Sequence, residues 1–292
     1  MAPLLDDTAV KQYWEQGYYS PVPIFTPEEA RALRGALEGE EAKRGPIFRE
    51  DRPRPGDPFQ GSYRFKSHLI FKWLADAIRD ERLLDAVGPL IGPDIMVWTT
   101  HWFIKEAGTT NYVSWHQDSN YWGVETDRLV TAWLALSPAT VESGCIRLLP
   151  GSHRRPDFEH VDTWEADNML TRGQTIMNVN ESDAVNLELQ PGEVALFDYR
   201  LAHASAPNRS NDRRIGIGIR YIPTSARQVR ADWDCASLVR GVDNYGHFEL
   251  EPRPAQDFDP AALAYHRKAD EATRQIYYKD AKPGAGGTEA RS

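Results

Sequence analysis

From Ile95 to Ile222 the chain is a succession of short runs rich in β-branched and aromatic residues, each closed by glycine, proline or a small polar cluster. No such run can bury itself, so the runs must pair with one another, and this constrains the fold more than any other feature. Residues 96–105 end before Gly108-Thr109-Thr110, residues 129–136 before Ser137-Pro138, and residues 145–149 before Pro150-Gly151-Ser152-His153. Strands resume over 184–189, turn at Pro191-Gly192, continue through 193–199 and return at 214–222. The run 129–136 is almost wholly apolar, which predicts a central strand covered on both faces. Short strands at this spacing predict a mainly β chain with flanking helices, a sandwich or jelly roll whose two sheets enclose a cleft.

The flanks read differently. Residues 7–16 have helical composition, and Pro21-Val22-Pro23 breaks them. Thr26, Pro27 and Glu29 form a capping box with proline at the first helical position, predicting a helix to about Lys43. Residues 45–61 are rich in Arg, Pro, Asp and Gly without periodicity, and are read as a loop able to lie over a pocket. Helical segments are expected over 63–79 and 80–87, packed on one side of the sheets, and a short helix at 165–171 within the polar stretch 154–183. Beyond Pro223, residues 225–280 read as a cover over one barrel end, with Asp259-Pro260 opening a helix to about Tyr278. Residues 281–292 read as a flexible tail. The expected organisation is one domain over 1–292, with helical support over 1–94 and the jelly-roll core over 95–224. A length of 292 residues at 41% hydrophobic composition is ample for one packed interior.

A net charge of −9 argues against a phosphate-backbone binder and leaves room for a local basic pocket. Asp6 and Asp7 stand where a signal peptide would be apolar, and the uncharged run from 129 to 141 is too short to span a bilayer. Cys145 and Cys235 have neither metal-type nor redox spacing. A soluble, cytoplasmic protein acting on a small molecule, without nucleic acid or membrane partners, is expected. The oligomeric state is not legible.

The chemistry concentrates in two clusters. If residues 114–118 are extended, the period of two sets His116 and Asp118 on one face, where an imidazole nitrogen and a carboxylate oxygen converge. His203 on a neighbouring strand would complete a two-histidine, one-carboxylate triad, which leaves three coordination positions of Fe(II) open. By itself His-x-Asp is a weak signal, because a strand histidine is more often a packed or surface side chain. His68, His101, His153, His160, His247 and His266 are read that way.

The second cluster strengthens the first. A turn built from Pro207, Asn208, Ser210 and Asn211 predicts a hairpin that returns Arg214 beside the metal strand. The Arg214 fork suits the far carboxylate of a dicarboxylic cosubstrate, and Ser205, on the face of His203, offers a hydroxyl. In steps of two, Gly216 and Gly218 share the face of Arg214, so their missing side chains would leave room for a ligand. The plainer alternative makes the arginines surface charges and the glycines a bulge.

Trp115-His116-Gln117-Asp118, Thr131-Ala132-Trp133, the run from Gly144 to His153, and His203-x-Ser205-x-x-Asn208-x-Ser210-x-x-x-Arg214 together resemble the phytanoyl-CoA dioxygenase family of Fe(II)- and 2-oxoglutarate-dependent oxygenases. The resemblance runs continuously from about Ile95 to Thr224. It implies a double-stranded β-helix, a cupin-like jelly roll, with Fe(II) on His116, Asp118 and His203. It further implies 2-oxoglutarate held by Arg214 and Ser205, with Trp133 and Gln117 lining its site, and a looser correspondence at Lys66 and Trp98. A regular strand would aim Gln117 away from the iron, so the strand must twist or end there.

The activity implied is hydroxylation of an aliphatic C–H bond with O2, yielding succinate and CO2, with ascorbate as an accessory reductant. Halogenating relatives replace the carboxylate ligand with a small residue, and Asp118 therefore favours hydroxylation. Candidate substrate-pocket residues are Trp102, Asn120, Tyr121, Trp122, Asp198 and Tyr199, each of which reads equally well as a core aromatic or a rim polar group. Two alternatives stay open. One is desaturation, cyclisation or demethylation by the same oxidant; the other is a non-catalytic jelly roll that binds a metal or ligand.

Overall fold

The computed structural model describes residues 4–45 and 62–279, so the loop expected at 45–61 and the tail at 281–292 lie, apart from Gly45, outside the described residues. Asp6 accepts from the Ala9 amide at 2.8 Å and opens helix α1 (Asp7–Gln16), which stops at Gly17 with φ 85°. The proline stretch that follows is strand β1 (Tyr18–Pro23) rather than a plain break. It lies at the edge of a sheet, where a missing N–H leaves no ladder bond unmade. Helix α2 (Pro27–Arg44) begins with the expected reciprocal cap: Glu29 N donates to Thr26 Oγ1 at 3.2 Å, and Thr26 N to a Glu29 carboxylate oxygen at 2.7 Å.

Residues 63–79 depart from the expected helix. Phe65 bridges to His101, Lys66 adopts φ 48° and donates its amide to Thr100 O at 2.8 Å, so this backbone is engaged by a strand instead of by itself. Only single 3-10 turns and helix α3 (Lys72–Ala77) remain, followed by helix α4 (Glu81–Ile91), which runs through Pro89.

Strand β2 (Ile95–Lys105) begins the core, followed by β3 (Val113–His116), the short helix α5 (Ser119–Trp122), β4 (Val124–Glu125), β5 (Val130–Ala135) and β6 (Ile146–Leu148). Residues 165–171 form no helix, because their backbone pairs with Tyr112: Met169 N donates to Tyr112 O at 2.8 Å. The stretch instead contributes two paired strands, β7 (His160–Asp162) and β8 (Gln174–Ile176). Then come β9 (Val185–Leu187), β10 (Glu193–Asp198), β11 (His203–Ser205) and β12 (Arg214–Pro223).

After Pro223 come β13 (Arg227–Gln228), β14 (Cys235–Arg240), β15 (Glu249–Leu250) and helix α6 (Pro260–Tyr278), capped by the Asp259 carboxylate. This segment does more than cover, since β14 pairs with β2 and widens the larger sheet. The sheets run β1-β10-β5-β12-β2-β14-β15 and β3-β11-β6-β9, face to face as a jelly roll.

The 214–222 run shows how the layers sort. Ile215, Ile217, Ile219 and Tyr221 join the cluster built with Tyr13 of α1 and Leu83, Leu84 and Val87 of α4. Arg214 and Arg220, on the alternate face, line cavities between the sheets. Helices α1 and α4 therefore pack on one side, leaving the opposite face of the large sheet to build a site, which α5 and the end of α6 help to wall. No helix among the described residues is long and apolar enough to cross a membrane.

Candidate metal centre

His203 of β11 stands directly opposite His116 of β3 in an antiparallel pair. Opposed residues share a face, so their imidazoles meet with ring centres 4.1 Å apart. Asp118 arrives by another route than strand alternation. β3 ends at His116, and Asp118, at φ −64° and ψ −32°, already has helical backbone at the mouth of α5. The turn swings its carboxylate back, putting Oδ1 3.4 Å from His116 Nε2 and Oδ2 4.0 Å from His203 Nε2. One ligand atom from each residue lies within 4.8 Å of the others.

Hydrogen bonding fixes the ligand atoms. His116 Nδ1 lies 2.9 Å from Ser114 O and His203 Nδ1 2.9 Å from Leu201 O. A carbonyl only accepts, so both Nδ1 atoms carry hydrogen and both Nε2 atoms keep lone pairs. Burial, then the neighbouring His116, pushes the His203 imidazole down to about 3, so it is neutral at working pH. Burial would raise the Asp118 carboxyl, but its neighbours outweigh burial and hold it below its usual range. The Tyr121 hydroxyl, kept protonated by burial and by Asp118, donates to Asp118 Oδ1 at 3.0 Å.

Asp118 Oδ2 is buried and has no hydrogen-bond partner. An orphaned buried acceptor costs about 1–3 kcal/mol, and more when charged. Two imidazole Nε2 atoms and one orphaned carboxylate oxygen form a donor set that fits Fe(II) and provides no fourth protein ligand among the described residues.

On one side of the triad lies a cavity, about 350 Å3 of empty space with the open solvent at its mouth included, lined by Trp133, His203, Ser205, Arg214 and Arg220 among others. Arg214 is 2% exposed, with Cζ 5.3 Å above the Trp133 ring and Nη1 donating to Gly144 O at 2.6 Å. It reaches the cavity without the expected hairpin. β11 belongs to the small sheet and β12 to the large one, so residues 206–213 cross between layers. Asn208 holds that crossing, its Nδ2 donating to Lys105 O at 3.0 Å and Asp212 O at 2.8 Å. The glycines also work differently from expectation. A Cβ on Gly216 would sit 1.9 Å from the Trp133 ring, and one on Gly218 2.1 Å from the Arg220 guanidinium. The vacated space houses these two side chains rather than a ligand directly.

The remaining candidates divide. Tyr121 and Trp122 line a second cavity beside the triad. Gln117, expected at the cosubstrate site, lines neither: the strand does end beside it, but its Nε2 donates to Arg200 O at 2.7 Å and its Oε1 accepts from Phe158 N at 2.9 Å. Lys66 and Trp98 also line neither, being bound to Glu251 and Asp234. Trp102 belongs to the helix-facing core, and Asn120 is exposed. Asp198 pairs with Arg200 at 2.7 Å, and Tyr199 donates its hydroxyl to Thr126 O at 2.6 Å.

Three residues that line or support the cavities escaped the sequence reading. Lys105, fully buried, donates Nζ to Ser205 Oγ at 2.7 Å. Arg220 lines both cavities, and His101 lines the second. The signal was period-two alternation carried further: 101, 103 and 105 on β2 stand opposite 218, 216 and 214 on β12.

The comparisons agree with this geometry. A curated relative from Stutzerimonas stutzeri, named "Probable alpha-ketoglutarate-dependent hypophosphite dioxygenase", is 27% identical over 62% of this chain and 60% of its own length. The first curated relatives are matched over only 39 to 60% of their lengths. The non-heme monooxygenase ThoJ, in its apo structure, superposes with a TM-score of 0.78 at 29% identity, covering 93% of this chain and 98% of that one. CytC3 with Fe(II) and alpha-ketoglutarate (2-oxoglutarate) gives a TM-score of 0.62 at 25% identity, covering 87% and 95%. The family model described as Phytanoyl-CoA dioxygenase (PhyH) matches residues 13–216, well over half of the chain, and the chain therefore belongs to that family.

Proposed function

We propose that this protein is an Fe(II)- and 2-oxoglutarate-dependent dioxygenase that hydroxylates an aliphatic C–H bond of a small organic molecule. The observation that carries this reading is the orphaned Asp118 Oδ2 facing two imidazole nitrogens whose hydrogens are committed elsewhere. When bound, Fe(II) and 2-oxoglutarate supply the oxidation of a C–H bond by O2, coupled to loss of CO2 from the cosubstrate, which leaves as succinate. His116, Asp118 and His203 would hold the metal, with no further protein ligand among the described residues, so that 2-oxoglutarate and O2 could reach it.

Arg214 offers a guanidinium fork for the distal carboxylate of 2-oxoglutarate, against the Trp133 ring. Ser205, held by Lys105, adds a hydroxyl at the same end. Tyr121 keeps Asp118 oriented through Oδ1, so that Oδ2 stays presented to the metal. The second cavity, walled by aromatic side chains, would keep the reacting carbon close and water away.

The test is anaerobic reconstitution with Fe(II) and 2-oxoglutarate, followed by O2 and a panel of small organic substrates. A visible charge-transfer band before O2 and substrate-dependent succinate afterwards are expected. Absence of the band, or no succinate above the substrate-free level across the panel, would remove the reading. Product mass decides the outcome: gain of one oxygen marks hydroxylation, and loss of two hydrogens marks desaturation or ring closure.

A further inference from the structure

The cavity beside the triad holds polar groups that the chain itself leaves unserved. Its empty space amounts to about 300 Å3 with the open solvent at its mouth included. Phe65, Phe103, Tyr121, Trp122 and Tyr277 supply aromatic walls. Among them stand Arg220, 3% exposed, and His101, 8% exposed. Arg220 Nη1 donates to Gly218 O at 2.8 Å, while its Nε is buried with no acceptor. His101 lies between Phe65 and Phe103, ring centres 4.3 and 4.1 Å away, and its Nε2 is buried without a partner.

A buried guanidinium is costly unless an anion meets it. Among the described residues no carboxylate forms an ion pair with Arg220; the acidic group that it influences is Asp118, which the proposed function commits to the metal. The aromatic surroundings do not replace that anion: Cζ sits 5.1 Å from the Trp122 ring and 5.6 Å from that of Phe103, contacts that steer a cation but do not neutralise it. Gly218 is what allows the arrangement, since any Cβ there would strike Nη1.

We propose that this cavity is the primary-substrate subsite and that it selects a small carboxylate-bearing molecule with an apolar, flat body, its carboxylate on Arg220 and a polar group of its body on His101. The inference rests on the function proposed above. The metal and 2-oxoglutarate would take the triad and the Trp133-Arg214 cavity, while Arg220, which borders both cavities, would hold the substrate's carboxylate from the second. An arginine fork gives such a carboxylate both charge and direction, which is how a C–H bond at a set distance from it would be brought to the metal.

The test uses anaerobic protein loaded with Fe(II) and saturating 2-oxoglutarate. It is titrated with benzoate, phenylacetate, 3-phenylpropanoate and indole-3-acetate, and with the primary amide of each, by tryptophan fluorescence and calorimetry. At least one acid is expected to bind ten-fold or more tightly than its amide. Arg220→Gln should erase that preference while the 2-oxoglutarate affinity, read from the charge-transfer band, stays within about two-fold. His101→Phe, which keeps the aromatic stack, should weaken the best acid several-fold and leave the acid-over-amide preference in place.

If no acid is preferred over its amide, or if the preference survives Arg220→Gln, the proposal fails. It also fails if Arg220→Gln abolishes 2-oxoglutarate binding, because the arginine would then serve the cosubstrate. Absence of a charge-transfer band in the parent protein would instead bring down the metal and cosubstrate reading.

Discussion

Two buried clusters in this protein use the same functional groups to opposite ends. At one, Lys66, His68 and Glu251 meet beside β2 and β14; at the other, Arg220, His116, His203 and Asp118 meet between the sheets. In the first, every polar atom is matched. Glu251 Oε1 accepts from Lys66 Nζ at 2.8 Å, and Oε2 from His68 Nε2 at 2.8 Å and Ser237 Oγ at 2.7 Å. Lys66 Nζ also donates to the carbonyls of Trp98 and Cys235, and His68 Nδ1 bonds Thr100 Oγ1 at 3.1 Å. In the second cluster and its cavity, Asp118 Oδ2, Arg220 Nε and His101 Nε2 are buried and unmatched. A closed network ties the C-terminal segment to the core, whereas an open one is completed only by something that binds. These two clusters are alike in burial and charge and differ in hydrogen-bond satisfaction.

The largest difference should come from removing one carboxylate at each place. Asp118→Ala is expected to lower 2-oxoglutarate-dependent succinate formation by well over the 10- to 100-fold that loss of an outer-shell partner costs a metal site. It should also abolish the rise in melting temperature that excess Zn2+ or Co2+ gives the parent protein, about 2.7 kcal/mol at a hundred times Kd. Succinate assays and melting curves read both, and an Asp118→Ala protein that keeps its activity would dissolve the contrast.

Glu251→Gln should do the reverse. It strands Lys66 in the interior and is expected to cost about 3–5 kcal/mol in urea unfolding while the folded fraction keeps its metal response. Acid acts in the same direction. The Lys66 and His68 partners outweigh burial and hold the folded Glu251 carboxyl far below its ordinary value of 4.5. Its contribution to stability is therefore complete above pH 4.5 and lost as pH falls through the folded value. Glu251→Gln should show a flatter loss of stability on acidification than the parent, and an equally steep loss would place the acid sensitivity elsewhere.

The smallest effect sharpens the comparison from the open side. Gly216→Ala drives a methyl group into the Trp133 ring, at a cost of about 1–3 kcal/mol in stability. Because that ring packs under Arg214, the KM for 2-oxoglutarate should rise more than kcat falls. A variant with unchanged KM would show that the ring is filler.

Much of this could be read from residues alone. The Thr26 cap, the helices over 7–16 and 260–278 and the strand over 96–105 follow from local rules: a hydroxyl three residues before a glutamate, an aspartate before a proline, period-two hydrophobicity. What misled was also local. Residues 63–79 look helical by composition, yet Phe65 and Lys66 are held by His101 and Thr100 across the core. Gln117 shares the triad's motif, yet the strand ends beside it and both ends of its amide serve loops.

The sequence by itself determined which atoms could bind a metal and which strands could exist, because ligand chemistry and side-chain periodicity are properties of neighbours along the chain. Only the tertiary structure decided that Asp118 reaches the site from a helical turn and that Arg214 crosses to the opposite sheet. It alone decided that Gly216 and Gly218 make room for Trp133 and Arg220, and that Lys66 belongs to a closed ion pair. Those outcomes depend on which groups distant in sequence find each other's unpaired donors and acceptors once water is excluded, and no spacing along one strand encodes that.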